Sequence, residues 1–192
     1  IPCGNNGSWH LFPFQKKKTM KIKTVIGLLI TVSAAAAFGG EQPPKPPELK
    51  VLEKFVGTWD CEVVMKPAIW TPKEQRENTV EVNELALDGW FLQGCSKTLD
   101  GKIQTLLMNS YDPIQKHYHT WKFVPGGSCE ELTGHWDEAT TTLTITTNVG
   151  NGITTKAAFH VIDKDHREYH VDAMDGDGKI YLDIHGTVTR RK

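Results

Sequence analysis

The sequence has few cysteines, few aromatic residues and no excess of charge of either sign. Its 192 residues include 4 cysteines, 9% aromatic residues and a formal net charge of −1. So few cysteines exclude a disulfide scaffold, and no Cys-x-x-Cys pair indicates a zinc or redox site. Without a strongly basic surface, the chain has no electrostatic means of attracting nucleic acid. The length and an apolar content of 39% indicate one soluble globular domain, with or without a leader.

Long apolar runs are also scarce, and the only one lies near the N-terminus. After Met20 come two lysines, an apolar stretch and a run of alanines that ends at Ala37. This order predicts a secretory signal peptide over residues 20–39, with a membrane anchor as the alternative, because a membrane span needs about 20 apolar residues. We therefore expect export to the periplasm or the extracellular space, with no stable membrane span after cleavage. Residues 1–19 are interpreted as upstream translation outside the fold.

A proline-rich linker, residues 40–47, precedes a short helical pattern. Leu49 and Leu52 belong to that pattern, and Gly57 ends it. From there on, apolar residues alternate with polar ones, which is typical of β-strands. The candidate strands lie near residues 58–66, 78–87, 90–98, 103–111, 116–124, 129–137, 141–149, 153–162, 167–174 and 179–189.

Many short strands joined by tight turns, without a second helix, favour a barrel over a sandwich. The predicted fold is all-β, a single antiparallel up-and-down β-barrel of about ten strands with a short N-terminal helix, over residues 48–192. Alternation places Trp59 on the inner face of the first strand. Arg190 shares the parity of the inward Val188 on the last strand. We expect Trp59 and Arg190 to stack where the barrel closes, because guanidinium groups stack on aromatic rings.

The N-terminal helix, the segment Gly57-Thr58-Trp59 and an arginine near the end of the last strand resemble the calycin superfamily of lipocalins and fatty-acid-binding proteins. More specifically, the chain resembles a bacterial family called domain of unknown function fifteen-seventy-nine. The segments that carry this resemblance are Leu52 to Trp59, Leu87 to Leu92, Tyr111 to Pro113, Thr120-Trp121, Gly134 to Asp137 and Arg190 to Lys192. One departure is Lys122-Phe123, where family members often have an acid. The resemblance implies a calycin-like barrel and favours ligand binding, but it implies no mechanism.

Several strands place aromatic residues on the face that alternation assigns to the interior. Small-molecule pockets generally have apolar walls with few polar groups. We therefore expect non-enzymatic binding of a small, partly apolar ligand in the barrel. The predicted cavity wall consists of Trp59, His117, His119, Trp121, Phe123, Trp136 and Phe159. The alternative is a structural or interaction domain whose core these aromatic residues fill.

The segment His117-Tyr118-His119 is the best metal-binding pattern, because two histidines two apart on a strand point to one side. His135 on the next strand could be a third ligand, but alternation turns it outward, away from the other two. We predict no metal or other cofactor, with a haem- or zinc-binding barrel that uses His117 and His119 as the alternative. The sequence contains no nucleophile elbow, inward carboxylate pair or phosphate loop, so no catalytic residue is predicted.

Overall fold

In the part of the chain that the structure describes, residues 43–192, ten antiparallel strands follow a short helix and close into a barrel. The structure is a computed structural model. The predicted signal peptide and the residues before it lie outside the described residues. The helix α1 spans Leu49–Glu53. The strands are β1 (Gly57–Met65), β2 (Gln75–Ala86), β3 (Phe91–Thr98), β4 (Ile103–Asp112), β5 (His117–Val124), β6 (Ser128–Asp137), β7 (Thr142–Gly150), β8 (Ile153–Val161), β9 (His166–Met174) and β10 (Ile180–Arg190).

Each strand pairs with its neighbours along the chain, and β1 pairs with β10 to close the barrel. The predicted all-β, up-and-down barrel is therefore confirmed, and most strands lie within a residue or two of their predicted bounds. The main difference is β2, which begins earlier than predicted, at Gln75, because its polar first residues pair with the end of β1 at Met65. No helix of residues 43–192 is long and apolar enough to cross a membrane.

The buried apolar residues of the barrel form two clusters. The first contains the buried Leu49 and Leu52 of α1, which pack with residues of β3, β5 and β7 such as Leu92 and Leu143. The second lies at the β1–β10 closure and contains Trp59 and Val188, among others. Burial of apolar side chains on a helix is its main source of stability when the helix is this short. Packing thus holds α1 against the barrel interior.

Strand β5 has its two faces reversed relative to the prediction. Tyr118 and Thr120 are 3% and 2% exposed, whereas Phe123 is 40% exposed. Because neighbouring residues of a strand point to opposite faces, the even-numbered residues of β5 face the interior. The prediction that four odd-numbered residues line a cavity is therefore wrong, and the outer face of the barrel carries His117, His119, Trp121 and Phe123.

The reversal has a physical basis on both sides of the strand. Inside, the Thr120 hydroxyl donates a hydrogen bond to Asn109 Oδ1 over 2.7 Å, so burial leaves neither group without a partner. Outside, the Trp121 ring packs beside Phe91, with ring centroids 6.1 Å apart, and stacks on His119 at 5.4 Å. Trp121 thus packs against Phe91 and His119 on the outer surface, while Tyr118 is the ring of β5 that fills the core.

Candidate functional site

The barrel interior contains a cavity of about 50 Å³. Its wall is mostly apolar and combines residues of α1 and of strands β2, β3, β4, β7, β8 and β9 with the segment that follows the helix. The apolar lining residues are Leu52, Phe55, Leu92, Leu107, Leu143, Ile145 and Phe159. Four polar side chains complete the wall: Glu81, Asn83, Asn109 and Arg167. We call this space the interior cavity.

Arg167 is the buried cation of the interior cavity. It is 5% exposed, and its Nη2 donates a hydrogen bond to Glu81 Oε1 over 2.9 Å. Its Nε atom is buried and has no hydrogen-bond partner among the described residues. The guanidinium carbon lies 3.9 Å from the centroid of the Trp59 ring and 5.2 Å from that of Phe55. Arg167 is therefore balanced in charge and held in place, but one of its donors remains unused.

The two asparagines of the wall are already engaged with the barrel. Asn83 Nδ2 donates to the Phe55 carbonyl over 3.0 Å. Asn109 Nδ2 donates to the Leu92 carbonyl over 3.4 Å, and Asn109 Oδ1 accepts the hydroxyl of Thr120. These bonds fix the polar edge of the interior cavity, and they leave Arg167 as the group with a free donor.

The barrel closure holds the Trp59 ring between two guanidinium groups. Arg190 places its guanidinium carbon 4.1 Å from the ring centroid, so the expected contact between Trp59 and Arg190 is present. Arg190 also donates from Nη1 to the Val56 carbonyl and from Nε to the Lys164 carbonyl, each over 2.8 Å. Glycine is favoured at position 57, because φ there is +131°, which L side chains rarely adopt, and a Cβ would crowd Arg190 Nη1.

The remaining predicted lining residues differ in where they lie. Phe159 lines the interior cavity. Trp59 is fully buried, but it belongs to the apolar cluster at the β1–β10 closure and not to the wall of the interior cavity. Trp136 packs against the cluster that contains Leu49 and Leu52 of α1, and its indole N–H donates to the Glu138 carboxylate. The polar groups of the cavity were not predicted. Arg167 lies two residues before Tyr169, which packs against the buried residues at the β1–β10 closure, and this alternation could have revealed the inward arginine.

The histidines of β5 and β6 lie together on the outer face. The Nε2 atoms of His117 and His119 are 2.7 Å apart, and His119 Nδ1 is 3.0 Å from Glu131 Oε1. The ring of His135 lies 6.3 Å from that of His117, measured between centroids. His135 points outward as predicted, but the reversal of β5 puts it on the same face as the other two histidines rather than on the opposite one.

These features define a class of protein: a closed, ten-stranded, up-and-down barrel with an apolar interior and a few buried polar groups. The chain belongs to the family described as "Protein of unknown function (DUF1579)", whose sequence pattern matches residues 45–190. Comparison with curated proteins gives no match.

Two solved structures show the extent of structural similarity. Rv2717c from M. tuberculosis superposes with a TM-score of 0.55 at 12% identity, and the match covers 78% of this chain and 100% of the other. The S-type phycobiliprotein lyase CPES from Guillardia theta gives a TM-score of 0.48 at 13% identity, over 74% of this chain and 92% of the other. The similarity to Rv2717c is a similarity of fold.

Proposed function

We propose that the protein binds a small, partly apolar molecule in the interior cavity without catalysing a reaction. The observation that supports this proposal is the buried Nε donor of Arg167, which has no hydrogen-bond partner among the described residues and belongs to a residue that lines a mostly apolar cavity. A buried donor without an acceptor costs about 1–3 kcal/mol, which a ligand oxygen would recover in part. An apolar wall with a few polar groups that fix orientation is typical of small-molecule sites.

The charges around Arg167 favour a neutral ligand. Glu81 already balances the guanidinium group, so an anionic ligand would bring an uncompensated charge into the interior, where such a charge is strongly unfavourable. A neutral carbonyl oxygen can accept the Nε hydrogen without changing the net charge. The ligand class that we propose is therefore a short aliphatic molecule with one carbonyl group.

The size of the interior cavity limits the ligand further. One water molecule needs a cavity of about 10–15 Å³. The interior cavity, at about 50 Å³, therefore accommodates only a few non-hydrogen atoms. Acetone, butanone and longer straight-chain methyl ketones form a suitable probe series. We expect ketone affinity to rise with chain length until the chain no longer fits and then to fall. Titrations monitored by amide chemical shifts measure that affinity.

Two variants test the roles of the wall. Arg167→Lys keeps a positive charge beside Glu81 but removes the Nε donor, and we expect ketone affinity to fall about tenfold. Phe159→Leu enlarges the cavity and should shift the preference to longer ketones. Arg191→Lys is the matched control, because Arg191 pairs with Asp60 on the exposed surface and should not affect binding. If no ketone binds and native mass spectrometry finds no co-purified molecule, the interior is a filled core.

A second candidate function, metal or haem binding by His117 and His119, is supported by the close approach of their Nε2 atoms. Imidazole nitrogens are common ligands of zinc and of haem iron. Elemental analysis for zinc and the visible spectrum for haem, on the parent and on His119→Ala, test it. A bound group in the parent that is lost from the variant supports this function, and a parent without either group counts against it.

We also propose that the protein is exported, on the strength of the basic, apolar and small-residue order that begins at Met20. Intact-mass analysis of exported protein should then give an N-terminus between Phe38 and Glu41. A mature protein that retains Met20 would contradict cleavage.

A further inference from the structure

The outer face of strands β9 and β10 carries three convergent polar side chains, which we call the β9–β10 cluster: His170, Asp183 and His185. The strand register places His170 directly opposite His185, and Asp183 lies two residues before His185 on the same face. The two imidazole rings are stacked, with centroids 4.3 Å apart and an interplanar angle of 13°. Their Nε2 atoms lie 2.8 Å and 3.0 Å from the same oxygen, Asp183 Oδ1.

The spacing of these atoms is close to that of a metal site. Ligand atoms about 2.0–2.2 Å from a tetrahedral zinc ion lie about 3.4 Å from one another. In the β9–β10 cluster one ligand atom from each residue lies within 4.8 Å of the others. Small side-chain rotations would therefore suffice to place one ion among them.

The cluster is also accessible to an ion. The side chains of His170, Asp183 and His185 are 45%, 27% and 51% exposed, so an ion can enter without opening the barrel. Asp172 lies opposite Asp183 in the register and offers a second carboxylate on the same face. A water molecule could complete the coordination, as in zinc sites with an open position.

We propose that the β9–β10 cluster binds a divalent transition-metal ion, with zinc as the ion to test. Imidazole nitrogen suits zinc, copper and nickel, whereas magnesium and calcium prefer sites made of oxygen alone. In the absence of metal, each imidazole can donate its Nε2 hydrogen to Asp183. On binding, the ring proton moves to Nδ1, and each Nε2 lone pair becomes available to the ion.

The β9–β10 cluster lies at a groove on the outer surface of the barrel. His170 and His185 line a groove of about 700 Å³ on the outer surface, which His160, Glu168 and Glu62 also line. The groove and the interior cavity lie on opposite sides of the barrel wall. The metal site is therefore independent of ketone binding in the interior, and either can fail without the other.

Zinc titration of the full chain by calorimetry, after removal of metal with EDTA, tests the proposal. We expect the parent to bind zinc, and His170→Ala, His185→Ala and Asp183→Asn each to weaken binding at least about tenfold. Zinc should also raise the unfolding temperature of the parent but not that of these variants, because an ion that binds only the folded state stabilises it. Equal unfolding temperatures in EDTA would show that the variants still fold.

Two further variants serve as controls. His160→Ala removes a histidine of the same groove that is 42% exposed and pairs with Glu168 instead, so the zinc affinity of the β9–β10 cluster should not change. His119→Ala removes the candidate ligand on β5 and should leave the same zinc affinity intact. The proposal is overturned if the parent binds no zinc, or if the three cluster variants bind it as tightly as the parent.

Discussion

Side chains alternate between the two faces of the sheet both at the β1–β10 closure and in strand β5. At the closure the aromatic Trp59 faces the interior, whereas in β5 the aromatic Phe123 faces outward. On β1, apolar Trp59 and Cys61 face the interior and Asp60 faces solvent. On β5, the hydroxyl of Thr120 faces the interior and the aromatic Phe123 faces outward. Alternation identifies a strand in both cases. Which face is buried depends on the partners that the neighbouring strands present, and for Thr120 that partner is Asn109.

The largest difference between the two regions is expected when one tryptophan is removed from each. Trp59→Ala should lower the free energy of unfolding by about 3–5 kcal/mol, because the ring is fully buried between two guanidinium groups. Trp121→Ala should cost about 1 kcal/mol, because its ring lies on the outer face. Urea unfolding of both variants gives the difference. Equal losses would mean that β5 is not reversed.

The closure arginine should show a smaller effect. Arg190→Ala is expected to lower the free energy of unfolding by about 1–3 kcal/mol, because it removes the contact with Trp59 and the packing of the arginine stem. Arg191→Ala is the matched control and should cost clearly less, since Arg191 pairs with Asp60 at the exposed surface. A loss for Arg191→Ala as large as that for Arg190→Ala would contradict the closing role of Arg190.

The interior of β5 can be tested by removing one hydroxyl. Thr120→Val should lower the free energy of unfolding by about 1–2 kcal/mol, because Asn109 Oδ1 would lose the hydrogen bond that the Thr120 hydroxyl donates to it in the interior. Thr187→Val on the outer face of β10 is the matched control and should be close to neutral. Chemical denaturation of the pair measures the contrast, and a neutral Thr120→Val would argue against a polar interior.

The smallest perturbation compares two free thiols. Burial, with the negative charge of Glu81 as a second cause, raises the pKa of Cys61 to about 12. Cys95 is less buried. At mildly alkaline pH, iodoacetamide should therefore modify Cys95 well before Cys61, because the thiolate is the reactive form. Peptide mapping measures the order, and urea should bring the two rates together; rapid native alkylation of Cys61 would contradict its burial.

The sequence was sufficient for the architecture because turn residues and alternation are local signals. These signals located the strands. Alternation also placed both Trp59 and Arg190 on inward faces, which predicted their contact. The inner face of β5 could not be read in the same way, since the aromatic Trp121 and the polar Thr120 each obtain their partners from other strands. Arg167 was missed for a related reason: its partner Glu81 lies 86 residues away in the chain. Local patterns do not report such pairs.

We propose that a ligand binds in the barrel interior beside Arg167 and does not use the outer aromatic face of β5. The most direct test is the butanone affinity of two variants, Arg167→Lys and Trp121→Ala, measured beside the parent. We expect about a tenfold loss for Arg167→Lys and parental affinity for Trp121→Ala. Loss of affinity in Trp121→Ala, with parental affinity in Arg167→Lys, would contradict it.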